Sequence, residues 1–98
     1  MGPVIIPEQD IINAICIFMS HEKDVEPNEV DVELIYDDEV DNAFSAETFV
    51  NGQQQILPSG KMIAALRLWI DLYLGMDAIA AGIQLDFNES DGIFATVR

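Results

Sequence analysis

Two stretches of this chain alternate apolar and polar residues, and both follow an amphipathic helical pattern. In the first, residues 29–36, Val30, Val32, Leu34 and Tyr36 point one way, and Asp31, Glu33, Ile35 and Asp37 the other. A period of two is the signature of a strand with one face in the core. In the second, residues 82–87, Ile83, Leu85 and Phe87 take the inward positions. Each stretch runs into an acidic loop and then a return run, Ala43-Phe44-Ser45-Ala46 in one and Ile93-Phe94-Ala95-Thr96 in the other. The two halves echo one another, although the echo needs gaps and is a pattern, not proof of duplication.

The intervening segments complete an α-β-β-β-α-β-β order. Pro7-Glu8-Gln9-Asp10 opens a helix, because proline suits the first turn and acids there complement the helix dipole. Ile11, Ile12, Ile15, Phe18 and Met19 fall on one arc, with Asn13, Ser20 and His21 opposite, and the helix is expected to reach Lys23. Asn51-Gly52 joins the return strand, residues 44–50, to a third strand, residues 53–57, since both turn positions tolerate positive φ. Ser59 is the expected N-cap of a second helix over residues 61–74, and Gly75 its stop. The order predicts an α+β fold in which two helices cover one face of an antiparallel sheet. A chain of 98 residues holds one such core, so residues 1–98 form a single domain.

Charge narrows the function. The net charge is −14, and residues 24–60 contain no Lys or Arg. Such a surface repels nucleic acid and anionic lipid, and its natural partners are cations or basic proteins. No apolar run is long enough to span a membrane, because Arg67 and Asp71 interrupt the best candidate. The N-terminal residues lack the basic start of a secretory signal. Cys16 is the lone cysteine, which fits a reducing, cytoplasmic setting.

The search for chemistry turns up no catalytic signature and no implied cofactor. Cys16 and His21 are five residues apart on one helix, about 140° around its axis, and do not face each other. Asp37, Glu39 and Asp41 alternate as at the start of an EF-hand loop, but its glycine position falls on Asn42 and its closing glutamate on Thr48. They are the candidate ligands for Ca²⁺ or Mg²⁺. Gly60-Lys61 lacks the earlier glycine and the Ser/Thr of a P-loop. Trp69 and Tyr73, one turn apart, fit core packing better than a ligand cage. The second helix is apolar over about 200° of its circumference, about twice what one sheet face needs. Leu68 lies outside that arc, and Ile17 sits among polar residues on the first helix. These two residues are the candidate contacts of a homodimer.

The segments Ile6-Pro7-Glu8-Gln9-Asp10, Val32-Glu33-Leu34-Ile35-Tyr36-Asp37-Asp38, Phe44-Ser45-Ala46-Glu47 with Val50-Asn51-Gly52, and Ala81-Gly82-Ile83-Gln84-Leu85 resemble the YxcD-like family of small uncharacterised proteins of Bacillus-type bacteria. The resemblance covers nearly the whole chain and implies a cytoplasmic bacterial protein. It brings no activity, substrate or site residue. The function expected from the residues is a protein-interaction or regulatory module that self-associates or meets a basic partner, with divalent-cation binding as the alternative.

Overall fold

Proline punctuation sets the frame. Pro7 and Pro58 each end a strand and begin a helix, with nearly the same backbone angles, φ −72° and ψ 167° against φ −71° and ψ 169°. Proline's fixed φ suits this position, and its missing N–H would have had no helical partner. The computed structural model describes residues 4–39, 43–75 and 82–98. Its elements are β1 (Val4–Ile6), α1 (Glu8–Lys23), β2 (Val30–Tyr36), β3 (Phe44–Val50), β4 (Gln53–Pro58), α2 (Ser59–Trp69), β5 (Ile83–Asn88) and β6 (Gly92–Val97). A 3₁₀ turn, Pro27–Glu29, leads into β2, and a π-helical turn, Ile70–Leu74, extends α2.

The fold is α+β. The strands form two three-stranded antiparallel sheets, β1-β6-β5 and β2-β3-β4, where the sequence suggests one. The sheets meet through rings, as Tyr36 on β2 stacks on Phe87 of β5 with centroids 4.5 Å apart. The strand period puts Phe87 inward and Tyr36 on the face of Val30, Val32 and Leu34, but at 42% and 39% exposure the two rings cover each other instead of filling the core. Strand β1 is the extra element. Three residues between Pro3 and Pro7 are too few to show alternation, and its pairing with β6 comes from the far end of the chain.

The halves repeat one β-α-β-β unit, 51 positions apart. Ile6, Ile11, Ala14, Ile15 and Met19 correspond to Leu57, Met62, Ala65, Leu66 and Ile70, and all ten are buried. Asp24 and Gly75, also 51 apart, both end their helices in the left-handed region, at φ 54° and 63°. The units exchange their first strands. β1 completes the sheet of the second unit, placing Ile6 opposite Ala95, and β4 completes that of the first, placing Leu57 opposite Ala46. Helices α1 and α2 pack against each other over the buried faces, so one core serves both units.

Two local expectations are revised, and a third holds with a change of helix type. Pro58, not Ser59, is the N-cap of α2, because β4 runs straight into the helix. Ser20, placed on the polar side of α1, is buried, and its hydroxyl donates to the Ile17 carbonyl at 2.7 Å. The expected end of α2 at Gly75 holds, but its last five residues widen into the π turn. The Asn51-Gly52 turn has the expected geometry, with φ 52° and 79°.

The face of the β2-β3-β4 sheet away from the helices is acidic. Glu33 and Glu47 are directly opposite each other on β2 and β3, and the Gln54 amide donates to the Glu47 carboxylate from β4. Like charges in that register destabilise a sheet. Raising monovalent salt should therefore raise the melting temperature at neutral pH. Glu47→Lys should stabilise the fold by about 0.2–1 kcal/mol in urea titration. A melting temperature that is flat or falls with salt would show that the acids are already compensated.

Candidate functional site

Among the described residues a groove of about 610 Å³ lies beside α1. The helix contributes Gln9, Ile12, Asn13, Cys16 and Ile17. These positions recur every three or four residues, so they form one stripe along the helix. Pro27 and Asn28 of the 3₁₀ turn and Val30 of β2 close one side, and Trp69 and Tyr73 line the groove from the α2 side. Among the described residues that line it none is charged, in a chain of net charge −14.

The aromatic pair has its ring centroids 6.0 Å apart and its planes inclined by 36°. Trp69 packs partly against the core, whereas Tyr73 is 61% exposed. Leu72 and Leu74 beside it are exposed too, so the surplus apolar surface expected of the second helix stays uncovered among the described residues. The π turn bears Tyr73, and such turns often mark functional positions.

Cys16 is half-buried at the core edge, as its sequence context suggests, and its thiol donates to the Val30 carbonyl at 3.6 Å. Burial, and secondarily the nearby Asp31 carboxylate, push its pKa above the ordinary thiol value. It is therefore a neutral thiol at physiological pH and a poor nucleophile. His21 is exposed.

The cation-ligand candidates are not drawn together. Asp37 and Glu39 are exposed, and an Asp37 carboxylate oxygen accepts the Glu39 amide at 3.0 Å, closing its own turn. Asp41 lies outside the described residues. In the second acidic loop Asn88 accepts the Asp91 amide at 2.6 Å and donates to the Asp91 carboxylate at 3.1 Å. Among the described residues no three His, Cys, Asp or Glu side chains come close enough to hold a metal ion.

Ile17 and Leu68 turn out to be equivalent positions of the two units, 51 apart, and both are partly exposed. Ile17 lines the groove. The groove amides Gln9, Asn13 and Asn28 carried no signal in the sequence, because neutral polar residues on a helix face read as solvated surface. A second contact also escaped notice. The Glu8 carboxylate, expected to serve the helix dipole, accepts the Ile93 amide at 3.1 Å and ties the start of α1 to the β5–β6 turn.

Comparison with known families gives a match over residues 1–90 to the family described as "Protein of unknown function (DUF2653)". The chain belongs to this family. Among curated proteins, the DUF2653 chain is 24% identical over 94 residues to "Uncharacterized protein YxcD" of Bacillus subtilis (strain 168), covering 96% of this chain and 91% of that protein. No solved structure matches. Among the described residues of this DUF2653 protein, no helix is long and apolar enough to cross a membrane.

Proposed function

We propose that this protein is a small cytoplasmic interaction module that pairs with a second copy of itself. The observation that carries this reading is the β4 edge. Among the described residues β4 pairs with β3 on one side only, and residues 53–57 carry no charge. Natural edge strands are usually blunted by charges, bulges or shortness, and β4 has none of these along residues 53–57. Two chains of charge −14 repel except where acids are absent, so an uncharged edge with Ile56 51% exposed is where they can approach. Antiparallel pairing of β4 with its copy would join the two sheets across a twofold axis.

Light scattering after size exclusion tests this. The parent should have a two-chain mass at about 100 μM, in the concentration range where weak self-association shows. Ile56→Glu should return it to a single-chain mass, while Ile5→Glu, at the equivalent exposed position on the short strand β1, should not. If Ile17→Glu or Leu68→Glu splits the dimer and Ile56→Glu does not, the helix face carries the contact. A single-chain mass for the parent overturns self-association.

The outward face of β2 and β3, with Asp31, Glu33 and Glu47, favours a basic protein as a second kind of partner. A lysine-rich peptide should bind at low salt and be lost with Glu33→Gln and Glu47→Gln together. Unchanged binding would remove this face from consideration.

A further inference from the structure

The two units of the chain can be compared with each other. Their cores agree position by position, but their surfaces part company at the groove. Gln9 and Asn13 correspond to Gly60 and Ala64, and Trp69 and Tyr73 correspond to Phe18 and Glu22. Helix α1 remains α-helical to Lys23, whereas the equivalent end of α2 is the π turn that bears Tyr73. The first unit brings the amides and the second the two aromatic rings to one concavity, and the equivalent positions, Gly60, Ala64, Phe18 and Glu22, do not repeat that set.

We propose that the groove binds a small organic amine in its ammonium form, with an apolar group held against Trp69 and Tyr73. The rings offer negative π faces to a cation. The amide oxygens of Gln9, Asn13 and Asn28 are neutral acceptors suited to ammonium N–H groups, and the Gln9 amide already donates to Asn13 at 3.2 Å, orienting the pair. Among the described residues no Lys, Arg or His lines the groove to compete with the ligand. The charge of −14 concentrates cations at the surface and repels carboxylates and phosphates. That field reaches the groove wall, since the Asp31 carboxylate acts on the Cys16 thiol. Ile12, Ile17 and Val30 supply the surface for the apolar group.

Trp69 is the single tryptophan and lines the groove, so a saturable change in its fluorescence at constant fold reads binding there. The full chain is titrated with 2-phenylethylamine, 2-phenylethanol and phenylacetate, which share a ring and differ in charge, and with methylamine, which has the charge without the ring. The amine should give a saturating change, the alcohol should bind at least about tenfold more weakly, and phenylacetate and methylamine should give no saturating change. Tyr73→Leu, at an exposed position that leaves the core intact, should weaken 2-phenylethylamine about three- to tenfold. Equal binding of the alcohol, saturable binding of phenylacetate or methylamine, unchanged affinity in Tyr73→Leu, or no saturable response to millimolar amine would each overturn the proposal. Ile56→Glu should bind the amine like the parent, so failure of self-association and failure of amine binding are separate results.

Discussion

Ile15→Ala and Leu66→Ala should each lower the free energy of unfolding by about 2–5 kcal/mol, the range for truncating a fully buried aliphatic side chain. Both residues are 0% exposed, and they occupy the same position in the two units. The loss combines the transfer free energy of the removed carbons with a cavity that the close-packed helix pair cannot collapse into. Because α1 and α2 share one core, neither unit has a reserve of its own. A domain of this size is stable by about 5–15 kcal/mol, so either variant removes a large part of the total. Urea denaturation followed by Trp69 fluorescence measures it. A loss under about 1 kcal/mol at either position would mean that the side chain is not part of a shared core.

Gly92→Val should be more costly than Gly52→Val, although both glycines have positive φ, at 70° and 79°. A β-branched residue in that region strains the backbone by about 1–3 kcal/mol wherever it occurs. At Gly52 nothing lies within 4 Å of an added Cβ, so strain is the whole effect. At Gly92 an added Cβ also meets the Glu8 carboxylate, which accepts the Ile93 amide. Displacing that carboxylate forfeits a hydrogen bond of about 1 kcal/mol. The excess should vanish in a Glu8→Ala background, where the two glycine variants should differ from their respective parents by similar amounts. Equal costs in the native background would show that Glu8 swings aside freely.

The α+β class and most elements were legible because they rest on local rules. Helix α1, strand β2 and the Asn51-Gly52 turn follow from period, proline position and tolerance of positive φ, all contained within a few residues. What escaped depends on contacts distant in sequence. Strand β1 is a strand only because β6 pairs with it, and Glu8 is a tie only because Ile93 lies beside it. Tyr36 and Phe87 kept the strand period yet found each other, since two rings at adjoining sheet edges shield more apolar area together than either does alone. The groove was legible only in part. Trp69 and Tyr73 stood out as aromatics one turn apart, but nothing local distinguishes Gln9, Asn13 and Asn28 from ordinary surface amides. The echo between the halves was visible in its hairpins, and the helices, whose equivalents are Ile for Met and Met for Ile, hid the rest behind interchangeable apolar residues.

The exchange of first strands leaves this topology without a privileged starting point. Val97 pairs with Val4 at the strand ends, as Val50 pairs with Gln53 on either side of the Asn51-Gly52 turn. The pair β6–β1 is thus the counterpart of the hairpin β3–β4, lacking only its turn. A circular permutant that joins these strand ends by a short Asn-Gly link and opens the chain at Asn51-Gly52 would read β4-α2-β5-β6-β1-α1-β2-β3, the same succession of units in the opposite order. It would meet the same partners in the same registers, and the hairpin it gains would stand in for the one it loses.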